Sequence, residues 1–112
     1  MNEQVKEKWL SALRSGDYKQ TRQYLHKEDG FCCLGVLCDL YGKEHNVEWN
    51  LANSGINYEF QDEPECLPPS VVEWAGVVGT DPVIGDGEAY LSVLNDTGYT
   101  FNEIADLIEK HL

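Results

Sequence analysis

Basic residues are scarce in this sequence, because 8 lysines and arginines stand against 20 aspartates and glutamates, and the formal net charge is −12. Such a surface repels DNA and RNA, so we expect no direct binding to polymeric nucleic acid. No apolar run approaches the roughly 20 residues that a membrane helix needs, so we expect no membrane contact. The opening residues, MNEQVKEKWL, lack the apolar stretch of a secretion signal, which predicts a cytoplasmic protein.

Known catalytic and metal-binding motifs are also missing. The chain contains no glycine-rich phosphate loop, HExxH motif or GxSxG motif. Its cysteines, Cys32, Cys33, Cys38 and Cys66, do not have the CxxC spacing of a structural zinc site, so we expect no metal and no cofactor. The sequence favours buried, reduced thiols. The alternative is an enzyme in which Cys32 or Cys33, near a helix N-terminus, acts as the nucleophile.

The composition that is present predicts a single globular domain over residues 1–112, because 42% of the residues are hydrophobic. Their periodicity predicts an α+β fold with about four helices and one or two β-hairpins. A nearly all-apolar segment predicts a buried central helix at residues 32–41, ended by Gly42. Gly35 weakens this helix, so we expect another element to approach closely there. A C-terminal helix is predicted at residues 101–111.

Turn and capping signals place the remaining elements. Thr100 and Glu103 have the spacing of a capping box at the start of the C-terminal helix. Alternation predicts a strand at residues 18–25, and alternating runs on both sides of residues 53–55 (NSG) predict a hairpin. The other predicted elements are helices at about 3–15, 70–75 and 89–96, an irregular or edge strand at 77–84, and a turn at 85–87.

The basic residues concentrate at one end of the chain and define a candidate binding site. Residues 1–30 have a net charge of +1, whereas residues 31–112 have a net charge of −13. Arg14 and Arg22 are suited to hold a phosphate, because a guanidinium can donate two parallel hydrogen bonds to it. Tyr18 offers a ring that can stack on a base, and Gln20 can hydrogen-bond to the edge of the base. We therefore expect Arg14, Tyr18, Gln20 and Arg22 to form a ligand-binding site.

Two blocks of the chain follow a specific pattern. Residues 9–20 read WxxALRSGxYxQ, residues 31–39 read FCCLGVLCD, and residues 94–96 (LND) belong to a later matching stretch. The chain resembles a family of small, mostly uncharacterised proteins from bacteriophages and bacterial genomes, over nearly its whole length. The similar proteins have a glycine near the position of Gln23. The resemblance implies a phage or mobile-element origin and a site of action in the cytoplasm of the host bacterium.

The resemblance and the candidate site together suggest two functions. Small accessory proteins of phages often act against host defences, either by binding a host protein or by capturing a nucleotide signal. We expect a small binding protein with such a counter-defence role, which captures an anionic, nucleotide-like ligand. The alternative is an acidic, DNA-mimic-like inhibitor of a host nucleic-acid or defence enzyme, whose partner would be a basic protein. The small size is also consistent with a homodimer.

Overall fold

The computed structural model describes residues 1–85 and 89–112, and within them the chain forms five helices and seven two-residue strands. This architecture confirms the predicted α+β fold. The helices are α1 (Glu3–Arg14), α2 (Cys33–His45), α3 (Pro69–Ala75), α4 (Leu91–Asp96) and α5 (Phe101–His111). The strands are β1 (Lys19–Gln20), β2 (His26–Lys27), β3 (Gly30–Phe31), β4 (Asn50–Leu51), β5 (Tyr58–Glu59), β6 (Val83–Ile84) and β7 (Ala89–Tyr90).

The first five strands form one mixed sheet in the order β1-β3-β2-β5-β4. Strand β1 runs parallel to β3, and the other neighbouring pairs are antiparallel. The predicted hairpin around residues 53–55 is confirmed, because β4 and β5 pair with Leu51 opposite Tyr58. Strands β6 and β7 form a separate antiparallel pair. The sheet places β1 at one of its edges, and β1 contains Gln20 and is flanked by Tyr18 and Arg22.

Helix α2 is the centre of the fold, and it packs against α1, α3 and α4. Its residues 33–38 are all buried, as the apolar run predicts. Gly35 lies against the backbone of Leu25, where an added Cβ would be only 1.8 Å from the Leu25 carbonyl oxygen. The close approach predicted at Gly35 is therefore confirmed. The indole N–H of Trp9 on α1 donates to the Cys33 carbonyl over 3.0 Å and fixes the two helices together.

Helix α5 begins with the predicted capping box. The Glu103 N–H donates to Thr100 Oγ1, and the Thr100 N–H donates to Glu103 Oε1. Its buried face, with Phe101 and Ile104 at the N-terminal end, joins the main core, and α5 packs along α1. None of the helices in the described part of the chain combines the length and the apolar character required to span a membrane.

The predicted end of the central helix at Gly42 is wrong. Helix α2 continues to His45 and ends at Asn46, which adopts a left-handed conformation with φ 57°. Inside the helix, Gly42 allows the chain after α2 to pack closely, because an added Cβ would lie 2.5 Å from the Val47 carbonyl oxygen. A glycine that permits close packing has the same sequence signature as a glycine that ends a helix.

Two other predicted boundaries are also corrected. The strand predicted at residues 18–25 is limited to Lys19–Gln20, because the chain turns at Gln23, where φ is 74°. Glycine adopts this conformation most easily, and it is uncommon for other residues. The helix predicted at 89–96 starts at Leu91, since Ala89–Tyr90 pair as β7. Of the turn predicted at 85–87, the last two residues lie outside the described residues.

Candidate functional site

Arg14, at the end of α1, joins two helices. Its Nη2 group lies 2.8 Å from Asp106 Oδ1 and 2.7 Å from Glu109 Oε1, both on α5. Hydrogen bonds to Glu109 and then Asp106 raise the pKa of the guanidinium above its usual value. Two carboxylates therefore offset the charge of Arg14, which makes it a poor site for an added phosphate.

Tyr18 belongs to a different polar cluster, on α2. Its hydroxyl donates a 2.6 Å hydrogen bond to Asp39 Oδ2 and accepts one of 3.3 Å from Lys43 Nζ. Burial, followed by the hydrogen bond to Asp39, raises the pKa of Tyr18 from 10.0 to about 12. The ring packs edge-on with Phe31, and Lys43 Nζ lies 5.4 Å from its centroid. Tyr18 is thus engaged by protein groups on its hydroxyl and on its ring.

Gln20 turns away from Tyr18 and contacts α4 and the segment after it. Its Nε2 donates one hydrogen bond to Asn95 Oδ1 and one to the Tyr99 carbonyl, each over 2.9 Å. Asn95 is 1% exposed. Its amide also donates to the carbonyl of Thr21, which follows β1, and accepts the N–H of Cys33. These bonds hold the end of β1 against the start of α2 and the end of α4.

Gln20 and Arg22 line one pocket of about 270 Å³ between β1 and the α4–α5 connection. Among the described residues, Arg22 makes no ion pair and its side chain donates no hydrogen bond. Since Arg22 is exposed, its guanidinium is accessible to a ligand. The full lining consists of Gln20, Arg22, Asn95, Gly98, Tyr99 and Thr100.

The pocket lies beside the start of α5, because the N-cap residue Thr100 belongs to its lining. Its capping box uses the N–H groups of Thr100 and Glu103, which leaves those of Phe101 and Asn102 without an intrahelical acceptor. The helix dipole also favours negative charge at this end. Tyr99, 41% exposed, offers an aromatic ring beside the same turn. A guanidinium, two side-chain amides, an aromatic residue and the N-cap of α5 therefore line the same pocket.

A larger and more open groove between α1 and α2 is less suited to an anion. It measures about 510 Å³, and Tyr18 lies in its lining. Its two lysines, Lys8 and Lys43, lie 3.8 Å and 3.2 Å from the carboxylates of Glu44 and Asp39. Its cationic groups therefore already have partners. The residues that line it are Glu7, Lys8, Ser11, Ala12, Ser15, Asp17, Tyr18, Leu40 and Lys43.

Three cysteines, at the N-cap of α2 and within the helix, lie in the core. Cys32, Cys33 and Cys38 are all buried, and burial raises the pKa of Cys32 to about 12. The pKa values of Cys33 and Cys38 are raised well above the ordinary thiol value for the same reason. Because the thiolate is the nucleophilic form, this environment disfavours the thiol-enzyme alternative. In the part of the chain that the structure describes, no three histidine, cysteine or carboxylate side chains are grouped to hold a metal ion.

The four residues predicted as one site are therefore distributed over three places. Gln20 and Arg22 share a pocket, Tyr18 lies at the α1–α2 groove, and Arg14 bridges α1 and α5. The pocket residues that sequence reasoning missed are Asn95, Gly98, Tyr99 and Thr100. The sequence identified Thr100 as the N-cap of the last helix, but no local pattern indicated that any of the four lies near Gln20.

The fold and the pocket describe a small α+β domain with a polar surface site and buried thiols. The chain belongs to the family described as "Domain of unknown function (DUF8296)", whose model matches residues 1–112. No curated protein and no solved structure matches the chain.

Proposed function

We propose that this protein binds a small, nucleotide-like anion in the pocket between β1 and the start of α5. The observation that carries the proposal is the exposed guanidinium of Arg22, without a carboxylate partner among the described residues, beside the N-terminus of α5. Arg22 and the helix N–H groups hold the phosphate, and the ring of Tyr99 stacks on the base. The hypothesis from sequence thus keeps Gln20 and Arg22, and Tyr99 takes the stacking role first assigned to Tyr18.

The charge balance selects a ligand with a single phosphate. Among the described residues that line the pocket, Arg22 is the one cationic side chain, and the whole chain has a net charge of −12. A triphosphate would meet repulsion from the surrounding carboxylates without a second cation to offset it. The volume of about 270 Å³ is also slightly below the usual range for ligand pockets. A nucleoside monophosphate or a cyclic phosphodiester fits both limits, with part of the ligand in solvent.

The biological role that we propose is capture of a nucleotide signal of the host bacterium by a phage protein. This role rests on the family resemblance and on the proposed ligand. It requires only binding.

The two arginines provide a matched test of the site. Isothermal titration calorimetry would use the 5′-monophosphates of adenosine, guanosine, cytidine and uridine, together with cyclic AMP and inorganic phosphate. Arg22→Ala should weaken the best ligand about 10- to 150-fold, because a hydrogen bond to a charged group contributes about 1.5–3 kcal/mol. Arg14→Ala should leave the affinity unchanged. Failure of every nucleotide to bind the wild-type protein, or a loss caused by Arg14→Ala alone, would overturn the proposal.

An acidic turn favours the second candidate, a protein that inhibits a basic partner. Residues 60–63 close a tight turn with two backbone hydrogen bonds between Phe60 and Glu63. Its central residues, Gln61 and Asp62, are exposed and left-handed, with φ values of 49° and 70°. Such conformations are strained in residues other than glycine, and strain is often retained at functional sites. This candidate predicts that Asp62→Asn weakens binding to a basic host protein and that binding falls as salt rises.

A further inference from the structure

The orientation of the Gln20 side-chain amide is dictated by a backbone group. The Tyr99 carbonyl oxygen can only accept a hydrogen bond, so the group 2.9 Å from it must be the NH₂ of Gln20. The same NH₂ donates its second hydrogen to Asn95 Oδ1, also over 2.9 Å. Both donors of Gln20 are therefore used within the protein. Its carbonyl oxygen, Oε1, accepts no hydrogen bond from the described residues and is the polar atom of this side chain left for a ligand.

Asn95 holds this arrangement in place because its own orientation is equally determined. Its Oδ1 accepts the Cys33 N–H over 3.2 Å, and a backbone N–H can only donate. Its Nδ2 donates over 2.8 Å to the Thr21 carbonyl and over 3.2 Å to Asp96 Oδ1. The two oxygen bonds and the two nitrogen bonds fill the hydrogen-bonding capacity of the amide. Asn95 therefore cannot rotate to offer Gln20 a carbonyl and an NH₂ in the opposite order.

We propose that Gln20 Oε1 is the specificity-determining acceptor of the pocket, and that it selects ligands whose base presents an N–H donor. This inference rests on the proposed function and names the chemistry of its ligand. Arg22 and the N–H groups of α5 can only donate hydrogen bonds. This end of the pocket therefore binds a hydrogen-bond acceptor, such as a phosphate oxygen. Gln20 Oε1, in the same pocket, offers a hydrogen-bond acceptor instead.

This polarity determines which edge of a nucleobase can face Gln20. The amino groups of adenine, cytosine and guanine and the imide N–H of uracil can donate to Gln20 Oε1. A base without such a donor leaves the oxygen unpaired when the ligand displaces its water. Sites built around a hydrogen bond discriminate against analogues that lack the group, since the protein atom then loses its partner.

Paired nucleotides test the inference on the ligand. Calorimetric titration would compare adenosine monophosphate with its N6,N6-dimethyl form, and uridine monophosphate with its N3-methyl form. In each pair the phosphate and sugar are identical, and methyl groups replace the N–H donor, so the Gln20 variants below serve as the control for their added volume. We expect the methylated member of the pair that binds to lose about tenfold or more in affinity.

Gln20→Met tests the same contact from the protein, because it keeps the side-chain length and removes the acceptor. The methylated and unmethylated ligands should bind this variant with affinities within about twofold, and Gln20→Ala should give the same result if Gln20→Met unfolds. Equal affinities for a methylated pair in the wild-type protein, with binding still abolished by Arg22→Ala, would overturn this inference and leave the proposed function standing. Absence of all nucleotide binding would overturn the proposed function and this inference with it.

Discussion

Two residues that lie two positions apart in the chain, Tyr18 and Gln20, bind to two different polar centres. Tyr18 donates to the carboxylate of Asp39, which also accepts the Trp49 indole N–H over 3.1 Å. Gln20 donates to the amide of Asn95. We refer to these groups as the Asp39 centre and the Asn95 centre. Residues two positions apart in a regular strand share one face, but Tyr18 lies just before β1, and the two side chains bind separate partners.

The difference between the centres follows from charge. The Asp39 side chain is 15% exposed and has Lys43 Nζ 3.2 Å away at its solvent side. Asn95 is 1% exposed, and all its polar capacity is used by protein groups. A carboxylate is too costly to bury without a cation or water, whereas a neutral amide can be buried once it is fully hydrogen-bonded. The neutral centre can therefore organise the interior behind the pocket, and the charged centre stays near the surface.

The largest expected effect comes from removing the neutral centre. Asn95→Ala leaves the Cys33 N–H, the Thr21 carbonyl and the Gln20 NH₂ without their partner. Each buried group left unpaired costs about 1–3 kcal/mol, so we expect a loss of stability on the order of 3 kcal/mol. Urea denaturation of Asn102→Ala, which removes an exposed asparagine side chain, serves as the control and should change much less. Equal losses in the two variants would contradict the central role of Asn95.

Removing the charged centre should have a smaller effect. Asp39→Ala removes the hydrogen-bond acceptor of Tyr18 and Trp49. Both side chains are only partly buried, so their donors can form hydrogen bonds with water instead. We expect a loss of about 1.5 kcal/mol in the free energy of unfolding, measured in urea. Asp29→Ala, which removes an exposed carboxylate near Lys19, should be almost neutral. A loss for Asp39→Ala as large as that for Asn95→Ala would remove the contrast between the centres.

Tyr18→Phe sharpens the comparison through pH. At neutral pH the variant should lose about 1 kcal/mol, the contribution of one hydrogen bond. The pKa of Tyr18 is about 12 in the folded protein, against an ordinary value of 10.0, so the folded state favours the protonated phenol. Its stabilising effect is complete below pH 10 and declines as the pH rises from 10 to 12. The difference in stability between wild type and Tyr18→Phe should shrink across this interval. A constant difference would contradict the assignment.

The smallest effect is expected for the cation at the charged centre. Lys43 is 71% exposed, and its pKa is raised mainly by its hydrogen bond to Asp39. Exposed ion pairs contribute little, so Lys43→Ala should cost about 0.5 kcal/mol or less, and added salt should reduce the difference further. A loss above that of Tyr18→Phe in the same urea experiment would show that the carboxylate depends on Lys43 more than its exposure suggests.

Local patterns were sufficient for much of the fold. The capping box of Thr100 and Glu103, the hairpin around residues 53–55 and the close approach at Gly35 were all predictable, because each depends on neighbours in sequence or on the requirements of one residue. Gly42 was misread, since its need for a small side chain comes from the Val47 carbonyl, which follows the end of the helix. Sequence spacing cannot distinguish these two uses of glycine.

The candidate site was only partly predictable. Gln20 and Arg22 were identified from residue type, and they share a pocket. Arg14 and Tyr18 have equally suitable side chains, but they are occupied by groups that lie 92 and 21 residues away in the chain. The partner of Gln20, Asn95, is 75 residues away. No local pattern indicates which of two similar arginines will meet a carboxylate.

The amino-acid sequence by itself determined the α+β class, the acidic surface, the apolar central helix and the capped last helix, because these depend on composition, periodicity and short-range hydrogen bonds. Only the tertiary structure decided the distribution of polar partners. It brought Asp106 and Glu109 to Arg14, Asp39 to Tyr18 and Asn95 to Gln20, and it left Arg22 accessible. These pairings depend on which helix faces overlap once the core has packed, and that geometry is a property of the whole chain.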